Sequence, residues 1–278
     1  MSCSRRDVLR WGLGSAALVA AGVHRIEAAT GKKIPLGLQL YSVRKQCEKD
    51  LPGVLKAVAE MGYVGVEFAG YYGRKADELR KLLDDNGLKC CGTHTALATM
   101  TGDALKGTVE FNKTLGNKYL IAPSLPKEHF KSKQTLLDVA KRFDEIAEKI
   151  KGEGMLTGYH AHGNDFQKVE GETAWDIIFG NTKPEVVMQL DTGNCRGGGG
   201  DPLAVLKKYP GRSKTVHLKP HGGRRGAPIG EDDLPWKEIF EVCETIGGTE
   251  WYIVEHESGE DPLATVKQCI DNLKKMGK

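Results

Sequence analysis

Three consecutive segments decide the fold of this chain: VVMQLD at Val186–Asp191, PLAVLKKY at Pro202–Tyr209 and SKTVHLK at Ser213–Lys219. The first and third are short, apolar, β-branched runs, which predict buried strands. The second follows Asp201 and starts with proline, which together predict the start of a helix. A strand, a helix and a second strand in this order predict a βαβ unit of a parallel sheet.

The same alternation continues in both directions along the chain. We predict eight strands, at Pro35–Val43, Tyr63–Ala69, Leu88–Thr95, Tyr119–Ser124, Leu156–His162, Val186–Asp191, Ser213–Lys219 and Trp251–Glu257. We predict eight helices, at Asp50–Met61, Lys75–Asn86, Asp103–Leu115, Gln134–Gly152, Thr173–Phe179, Pro202–Tyr209, Leu234–Ile246 and Pro262–Lys275. Eight βα units predict an α/β fold of a single (β/α)8 TIM barrel over residues 30–278, since an open doubly wound sheet usually has fewer strands.

Composition excludes several classes of protein. The chain has 278 residues, of which 28% are charged and 40% hydrophobic, with a formal net charge of +3. This composition excludes an intrinsically disordered chain and a multi-pass membrane protein. The small net charge also argues against nucleic acid as a partner.

The N-terminal residues carry an export pattern. SRRDVLR at Ser4–Arg10 precedes an apolar run at Trp11–Val23, and small residues follow at Ala28-Ala29. This order predicts that residues 1–29 are a twin-arginine signal peptide, read by the twin-arginine translocase. The protein would then be periplasmic or otherwise exported, with no stable membrane span after processing. The alternative is an amphipathic N-terminal helix with two chance arginines.

Ionisable side chains gather at the ends of the predicted strands. In a TIM barrel, the C-terminal strand ends form the active-site face. Five of the eight histidines fall at or just after these ends, namely His94, His160, His162, His217 and His221. Carboxylates end other strands, at Glu67, Asp191 and Glu255. Two imidazoles and two carboxylates that converge on one mouth predict a divalent-metal site.

Each of these features also has a structural interpretation. A single histidine at a strand end can be a hydrogen-bonded structural residue, and Glu67 can pair with an arginine. The run Gly197–Gly200 fits a flexible connection better than a substrate cradle. Arg224-Arg225, after the seventh predicted strand, can bind a substrate phosphate or simply face solvent.

The motifs at the strand ends resemble those of the xylose-isomerase-like TIM-barrel family, whose members are often described as sugar phosphate isomerases or epimerases. The resemblance is carried by Gly37–Arg44, Gly65–Gly70, Gly158–His162, Leu190–Asn194, Val216–Lys219, Ala227–Glu231 and Val254-Glu255. It implies one divalent ion, held by residues that end strands five to eight, commonly Glu, Asp, His and Glu. The matching residues here are His160, Asp191, His217 and Glu255. His160 departs from the family pattern, and the mixed ligands favour Mn, Co, Zn, Fe or Ni over Mg.

The resemblance also implies a carbohydrate substrate and proton abstraction beside a metal-polarised carbonyl. We expect Glu255 to be the base, with His162 or Lys219 supplying a proton on the other side. Side chains expected to contact substrate are Gln39, Tyr41, Glu67, His94 and His221. An isomerase or epimerase is the favoured function. A lyase or hydratase that acts on keto-sugars or 3-keto-glycosides by β-elimination is the alternative, and a non-catalytic sugar-binding barrel is the second. An oligomer is possible.

Overall fold

The computed structural model describes residues 33–278, and these form a closed barrel of eight parallel strands. The barrel strands are β1 (Leu36–Gln39), β2 (Gly65–Phe68), β3 (Lys89–His94), β4 (Tyr119–Ala122), β5 (Leu156–His160), β8 (Val187–Asp191), β9 (Thr215–Leu218) and β10 (Trp251–Val254). A short antiparallel hairpin, β6 (Lys168–Val169) and β7 (Glu172–Thr173), lies outside the barrel. The predicted (β/α)8 fold is confirmed. The predicted signal peptide lies outside the described residues.

Helices follow the strands around the barrel. They are α1 (Arg44–Met61), α2 (Ala76–Asp85), α3 (Ala104–Leu115), α4 (Lys133–Ile150), α5 (Ala174–Phe179), α6 (Thr192–Gly197), α7 (Pro202–Lys208), α8 (Trp236–Val242) and α9 (Pro262–Lys275). The predicted cap at Asp201 forms, because its side chain accepts a hydrogen bond from the backbone N–H of Leu203. Asp261 caps α9 in the same way, through the backbone N–H of Ala264. None of the helices in residues 33–278 is long and apolar enough to cross a bilayer.

The first predicted strand is too long. β1 ends at Gln39, and Leu40–Val43 forms a 3₁₀ turn that leads directly into α1. The Gln39 side chain accepts a hydrogen bond from the backbone N–H of Tyr41 at 3.0 Å, which caps this turn. The predicted helix start at Asp50 is instead a kink within α1, ahead of Pro52.

The strand ends differ in detail from the prediction. The fifth, seventh and eighth barrel strands end at His160, Leu218 and Val254, so several predicted site residues lie just beyond their strands. The loop after β8 contains α6, which was not predicted. Within Gly197–Gly200, Gly197 is the last residue of α6, and the backbone N–H of Gly200 donates to the carbonyl of Cys195 at 2.9 Å.

The barrel closes where its first and last strands pair. Leu38 of β1 lies opposite Val254 of β10, and Leu38 also lies opposite Val66 of β2. Because all eight strands are parallel, their C-terminal ends open on one face of the barrel. This face holds the residues considered next.

Candidate metal centre

Four ionisable side chains from four neighbouring strands converge at the C-terminal mouth. His160 ends β5, Asp191 ends β8, His217 lies in β9, and Glu255 follows β10. Each offers one ligand atom within 4.8 Å of the others, and all four residues are buried. The structure thus brings together the four residues that the sequence predicted as metal ligands.

Asp191 provides the clearest indication that the group fits a cation. Its Oδ1 accepts a hydrogen bond from the backbone N–H of Asn194 at 2.6 Å. Its Oδ2 is buried and has no hydrogen-bond partner, and it lies 4.0 Å from His217 Nδ1. Burial raises the pKa of Asp191 to about 7. A buried carboxylate oxygen without a partner is destabilising, and a bound cation relieves that cost.

His217 lies between two carboxylates. Its Nε2 is 2.5 Å from Oε2 of Glu67, and its Nδ1 is 2.8 Å from Oε2 of Glu255. Burial alone would lower the pKa of His217, but the charge of Glu67 and the hydrogen bonds to both carboxylates raise it to about 10. A metal ion bound at Nδ1 would take the position of one proton, so that metal binding releases a proton here.

Glu255 also faces a lysine. Lys219 Nζ donates to Oε1 of Glu255 at 3.0 Å and to Oε1 of Glu257. Burial would raise the pKa of Glu255, but His217 and Lys219 lower it well below its usual value. Burial would lower the pKa of Lys219, but the charges of Asp191 and Glu255 raise it. Lys219 therefore remains a cation and a proton donor at neutral pH.

His160, Lys219 and Glu255 face a pocket of about 430 Å³, whereas Asp191 and His217 are fully buried and do not line it. It is lined by Tyr41, Ala69, His94, Pro123, Ser124, His160, His162, Asn194, Lys219, Glu255 and Glu257. The His160 and His162 rings remain neighbours, with centroids 4.9 Å apart, although His162 lies beyond the end of β5. Burial lowers the pKa of His162, so its imidazole is neutral at pH 7.

The residues predicted to contact substrate occupy three different positions. His94 lines the pocket, and Tyr41 stands at its rim with 42% of its surface exposed. Gln39 and Glu67 are fully buried beneath the pocket. His221 is exposed on the loop after β9 and is not among the pocket-lining residues.

The arginine pair lies elsewhere. Arg224 and Arg225 line a separate groove beside Glu257, and Arg224 forms an ion pair with Glu231 at 3.0 Å. In this arrangement Arg224 already has a carboxylate partner.

Sequence reasoning assigned no role to two residues of the site. Gln189 is fully buried in β8 and contacts both His94 and His160. Asn194 lines the pocket, and its side-chain amide donates to the carbonyl of Ala161 at 2.9 Å. A polar amide within the apolar run at Val186–Asp191 is the signal that marks Gln189 in the sequence.

Comparisons with known proteins agree with this fold. A sequence profile described as xylose isomerase-like TIM barrel matches residues 55–276. An inosose dehydratase from Geobacillus thermodenitrificans is 26% identical over 280 residues, covering 83% of this chain and 91% of that protein. An inosose dehydratase from Geobacillus kaustophilus is 26% identical over 204 residues, covering 61% of this chain and 65% of that protein. A crystal structure of a sugar phosphate isomerase/epimerase from Parabacteroides distasonis superposes with a TM-score of 0.76 at 28% identity, covering 87% of this chain and 98% of that one.

Proposed function

The chain belongs to the xylose isomerase-like TIM barrel family, and we propose that it is a metal-dependent lyase that removes water, or another β-leaving group, from a keto-sugar or a related keto-polyol. The names of the two Geobacillus relatives support a dehydratase. The distribution of acids and bases around the pocket supports it independently.

His160, Asp191, His217 and Glu255 would hold one divalent ion. Two imidazoles and two carboxylates favour Mn, Co, Zn, Fe or Ni over Mg. The ion, when bound, polarises the carbonyl of the substrate and so makes the neighbouring C–H bond more acidic. The unpartnered Oδ2 of Asp191 supports this assignment.

Glu255 is the proposed base. Its low pKa keeps it ionised at every working pH, so that it is always ready to accept a proton. A carboxylate with a low pKa is a weak base, so the reaction depends on the acidification of the C–H bond. The ammonium of Lys219, 3.0 Å from Glu255 Oε1, can stabilise the negative charge that develops as the proton leaves.

The elimination balances with the groups at hand. Glu255 takes the α-proton, the C–H electrons form a carbon–carbon double bond, and the β C–O bond breaks. The ammonium of Lys219 gives a proton to the departing oxygen, which leaves as water or as an alcohol. The product is an α,β-unsaturated ketone, and where the α-carbon carries a hydroxyl this enol becomes a second ketone by proton transfer.

One observation carries the choice of a lyase. Among the described residues that line the pocket, the two carboxylates, Glu255 and Glu257, both follow β10. The wall formed by β5 presents the imidazoles of His160 and His162 instead. Epimerisation by two carboxylates on opposite faces of a sugar is therefore poorly matched, whereas elimination needs one base and one acid.

An isomerase or epimerase is the second candidate. The name of the Parabacteroides distasonis structure favours it. The neutral imidazole of His162 supports it too, because it can act as a second base across the pocket from Glu255.

Reaction in deuterated water separates the candidates. Metal-loaded protein is incubated with an inosose, free aldoses and ketoses, and a 3-keto-glycoside, and the products are followed by NMR. A lyase gives an unsaturated or dehydrated product, with release of water or the aglycone. An isomerase or epimerase instead returns an intact sugar that carries deuterium next to the carbonyl.

The matched control is Glu250→Gln, which removes a carboxylate at the opposite end of the barrel and should react like the parent. Binding of sugars without any reaction would contradict both enzymatic candidates and favour a non-catalytic sugar-binding barrel.

We also propose that the protein is exported to the periplasm by the twin-arginine translocase, on the strength of SRRDVLR at Ser4–Arg10. Changing Arg5 and Arg6 to lysine keeps the charge and removes the recognised pair, so the variant should remain in the cytoplasm. Cell fractionation and immunoblotting measure this. Normal processing and export of the lysine variant would contradict the proposal.

A further inference from the structure

A network of buried polar side chains lies directly beneath the pocket, inside the barrel. Glu67 is at its centre and is fully buried. Its Oε2 accepts from Gln39 Nε2 at 2.7 Å and from His217 Nε2 at 2.5 Å, and its Oε1 accepts from Gln189 Nε2 at 2.8 Å. An ionised carboxylate accepts hydrogen bonds but donates none. Each group that faces Glu67 must therefore present a hydrogen.

This requirement fixes the orientation of the Gln189 amide. Its NH₂ group points to Glu67 and also to Thr215 Oγ1, at 3.0 Å. Its carbonyl Oε1 must then point the other way, towards His94 Nε2 at 3.0 Å and His160 Nδ1 at 3.1 Å. Because an amide oxygen only accepts, both of these imidazole nitrogens carry the hydrogen.

The same reasoning applies to His217. Its Nε2 donates to Glu67, so the nitrogen that is available for a metal is Nδ1, which faces Asp191 and Glu255. His160 donates through Nδ1, so its available nitrogen is Nε2. One carboxylate thus governs both histidines of the four-residue group, His217 directly and His160 through Gln189.

We propose that Glu67 is a positioning residue, which acts with Gln189 to fix the tautomers of His160 and His217 and so selects Nε2 of His160 and Nδ1 of His217 as the metal-binding atoms. Metal-bound histidines in general donate their second nitrogen to an outer carboxylate or carbonyl, and loss of that partner weakens metal binding. This role differs from the substrate contact that the sequence predicted for Glu67. The proposal rests on the proposed metal site but not on the reaction carried out there.

NMR of the zinc-loaded full chain tests the assignment without any mutation. Zinc is diamagnetic, so ¹⁵N–¹H spectra of labelled histidines identify which ring nitrogen carries a hydrogen. We expect a hydrogen on Nε2 of His217 and on Nδ1 of His160. A hydrogen on Nδ1 of His217, or on Nε2 of His160, would overturn the positioning proposal while leaving the metal site intact. Failure of the parent protein to bind zinc would overturn both.

The variant Glu67→Gln tests whether the Glu67 carboxylate is what fixes the two histidine tautomers. An amide at this position cannot accept from all three donors, because its own NH₂ must face one of them. We expect the zinc dissociation constant to rise about ten- to a hundredfold, with the histidine tautomers no longer fixed. Glu67→Asp keeps a carboxylate and should restore part of the affinity.

Thr157→Val is the matched control. It removes a buried hydroxyl that donates to the carbonyl of Leu120 in the same barrel, outside the network. It should lower thermal stability without changing zinc affinity. Unchanged zinc affinity in Glu67→Gln would contradict the proposal, and an equal loss in Thr157→Val would show that the effect is merely structural.

Discussion

Both ends of the barrel hold charged side chains, but the side chains at the two ends differ in their exposure to solvent. At the N-terminal end, Glu250 is 36% exposed and lies 2.7 Å from Lys118 Nζ and 3.9 Å from Lys214 Nζ. At the C-terminal end, the Glu255 side chain is only 6% exposed and lies between His217 and Lys219. Both carboxylates have partners of opposite charge. They differ in how much water they retain.

The charges at the two ends therefore have different effects on the stability of the fold. Exposed ion pairs such as those of Glu250 contribute little and leave no polar atom unsatisfied. The C-terminal end instead holds buried charges and the unpartnered Oδ2 of Asp191, which reduce the stability of the fold. Cavity size alone does not show which end holds the candidate site, because the groove at the N-terminal end, of about 690 Å³, is larger than the pocket at the C-terminal end, of about 430 Å³. Five variants test the contrast, from the largest expected effect to the smallest.

The largest effect is expected for Glu255→Gln. The variant retains a metal-binding oxygen but cannot accept the α-proton, so turnover should fall by roughly two to four orders of magnitude. Steady-state kinetics, with metal content measured on the same samples, checks this. Turnover within tenfold of the parent would remove Glu255 from the role of base.

Asp191→Asn should separate metal binding from stability. Oδ1 can still cap Asn194, but the negative charge is lost, so metal affinity should fall about a hundredfold or more. After chelation, the variant should be more stable than the parent at pH 8, on the order of 1–3 kcal/mol, because ionisation of the buried carboxylate no longer opposes folding. Calorimetric titration and thermal unfolding measure the two effects. If the chelated variant is less stable than the parent, ionised Asp191 does not oppose folding.

Lys219→Met tests the cation beside Glu255. We expect turnover to fall roughly a hundredfold, since a charge that stabilises the developing enolate is lost. Metal affinity should change much less, because Lys219 is not a ligand. Equal losses in kcat and in metal affinity would instead indicate that Lys219 only holds Glu255 in place.

Asp165 is a further buried carboxylate near the C-terminal end, and the pH dependence of stability tests the cost of its burial. It accepts from Tyr159 Oη at 2.7 Å and from the His162 backbone N–H at 2.6 Å. Burial raises its pKa to about 7, against about 3.9 in an unfolded chain. The folded state therefore binds the extra proton between about pH 4 and pH 7, and stability falls as the pH rises through this window.

Asp165→Asn removes this dependence and can retain both hydrogen bonds. The midpoint of thermal unfolding of the variant, relative to the parent, should rise by several degrees between pH 5 and pH 8. A difference that does not change with pH would mean that Asp165 is ionised normally in the folded protein.

The smallest effect is expected for Glu250→Gln at the N-terminal end. Loss of its exposed ion pairs should lower stability by less than about 1 kcal/mol, with turnover and metal content unchanged. A loss of activity in this variant would contradict the view that the N-terminal end takes no part in the reaction.

The sequence predicted the barrel because apolar runs alternate regularly with helical segments, and it predicted the metal group because four ligand-type residues end successive strands. It failed at Leu40–Val43, where an apolar run forms a 3₁₀ turn. The cause is a single side-chain cap from Gln39, which hydrophobic patterning does not register. Hydrophobic patterning also missed α6, because this short helix contains two glycines and its N-terminal cap is the side chain of Asp191.

The arrangement beneath the pocket could not be predicted for a different reason. Glu67 and Gln189 are 122 positions apart, and their contact exists only because the barrel closes. A glutamate at a strand end is equally consistent with a substrate contact and with a buried network. Only the depth of the side chain within the barrel separates these two interpretations, and depth is a property of the assembled sheet.

The pairing of β1 with β10 determines when, during synthesis and folding, the four-residue group can assemble. Gln39 ends the first strand and Glu255 follows the last, so residues at the mouth lie on both sides of the seam where the barrel closes. A chain still on the ribosome already carries Glu67, His160 and Asp191, yet it cannot complete the four-residue group until β10 has emerged and docked beside β1. Full affinity of the proposed metal site is thus expected only of the finished and folded chain.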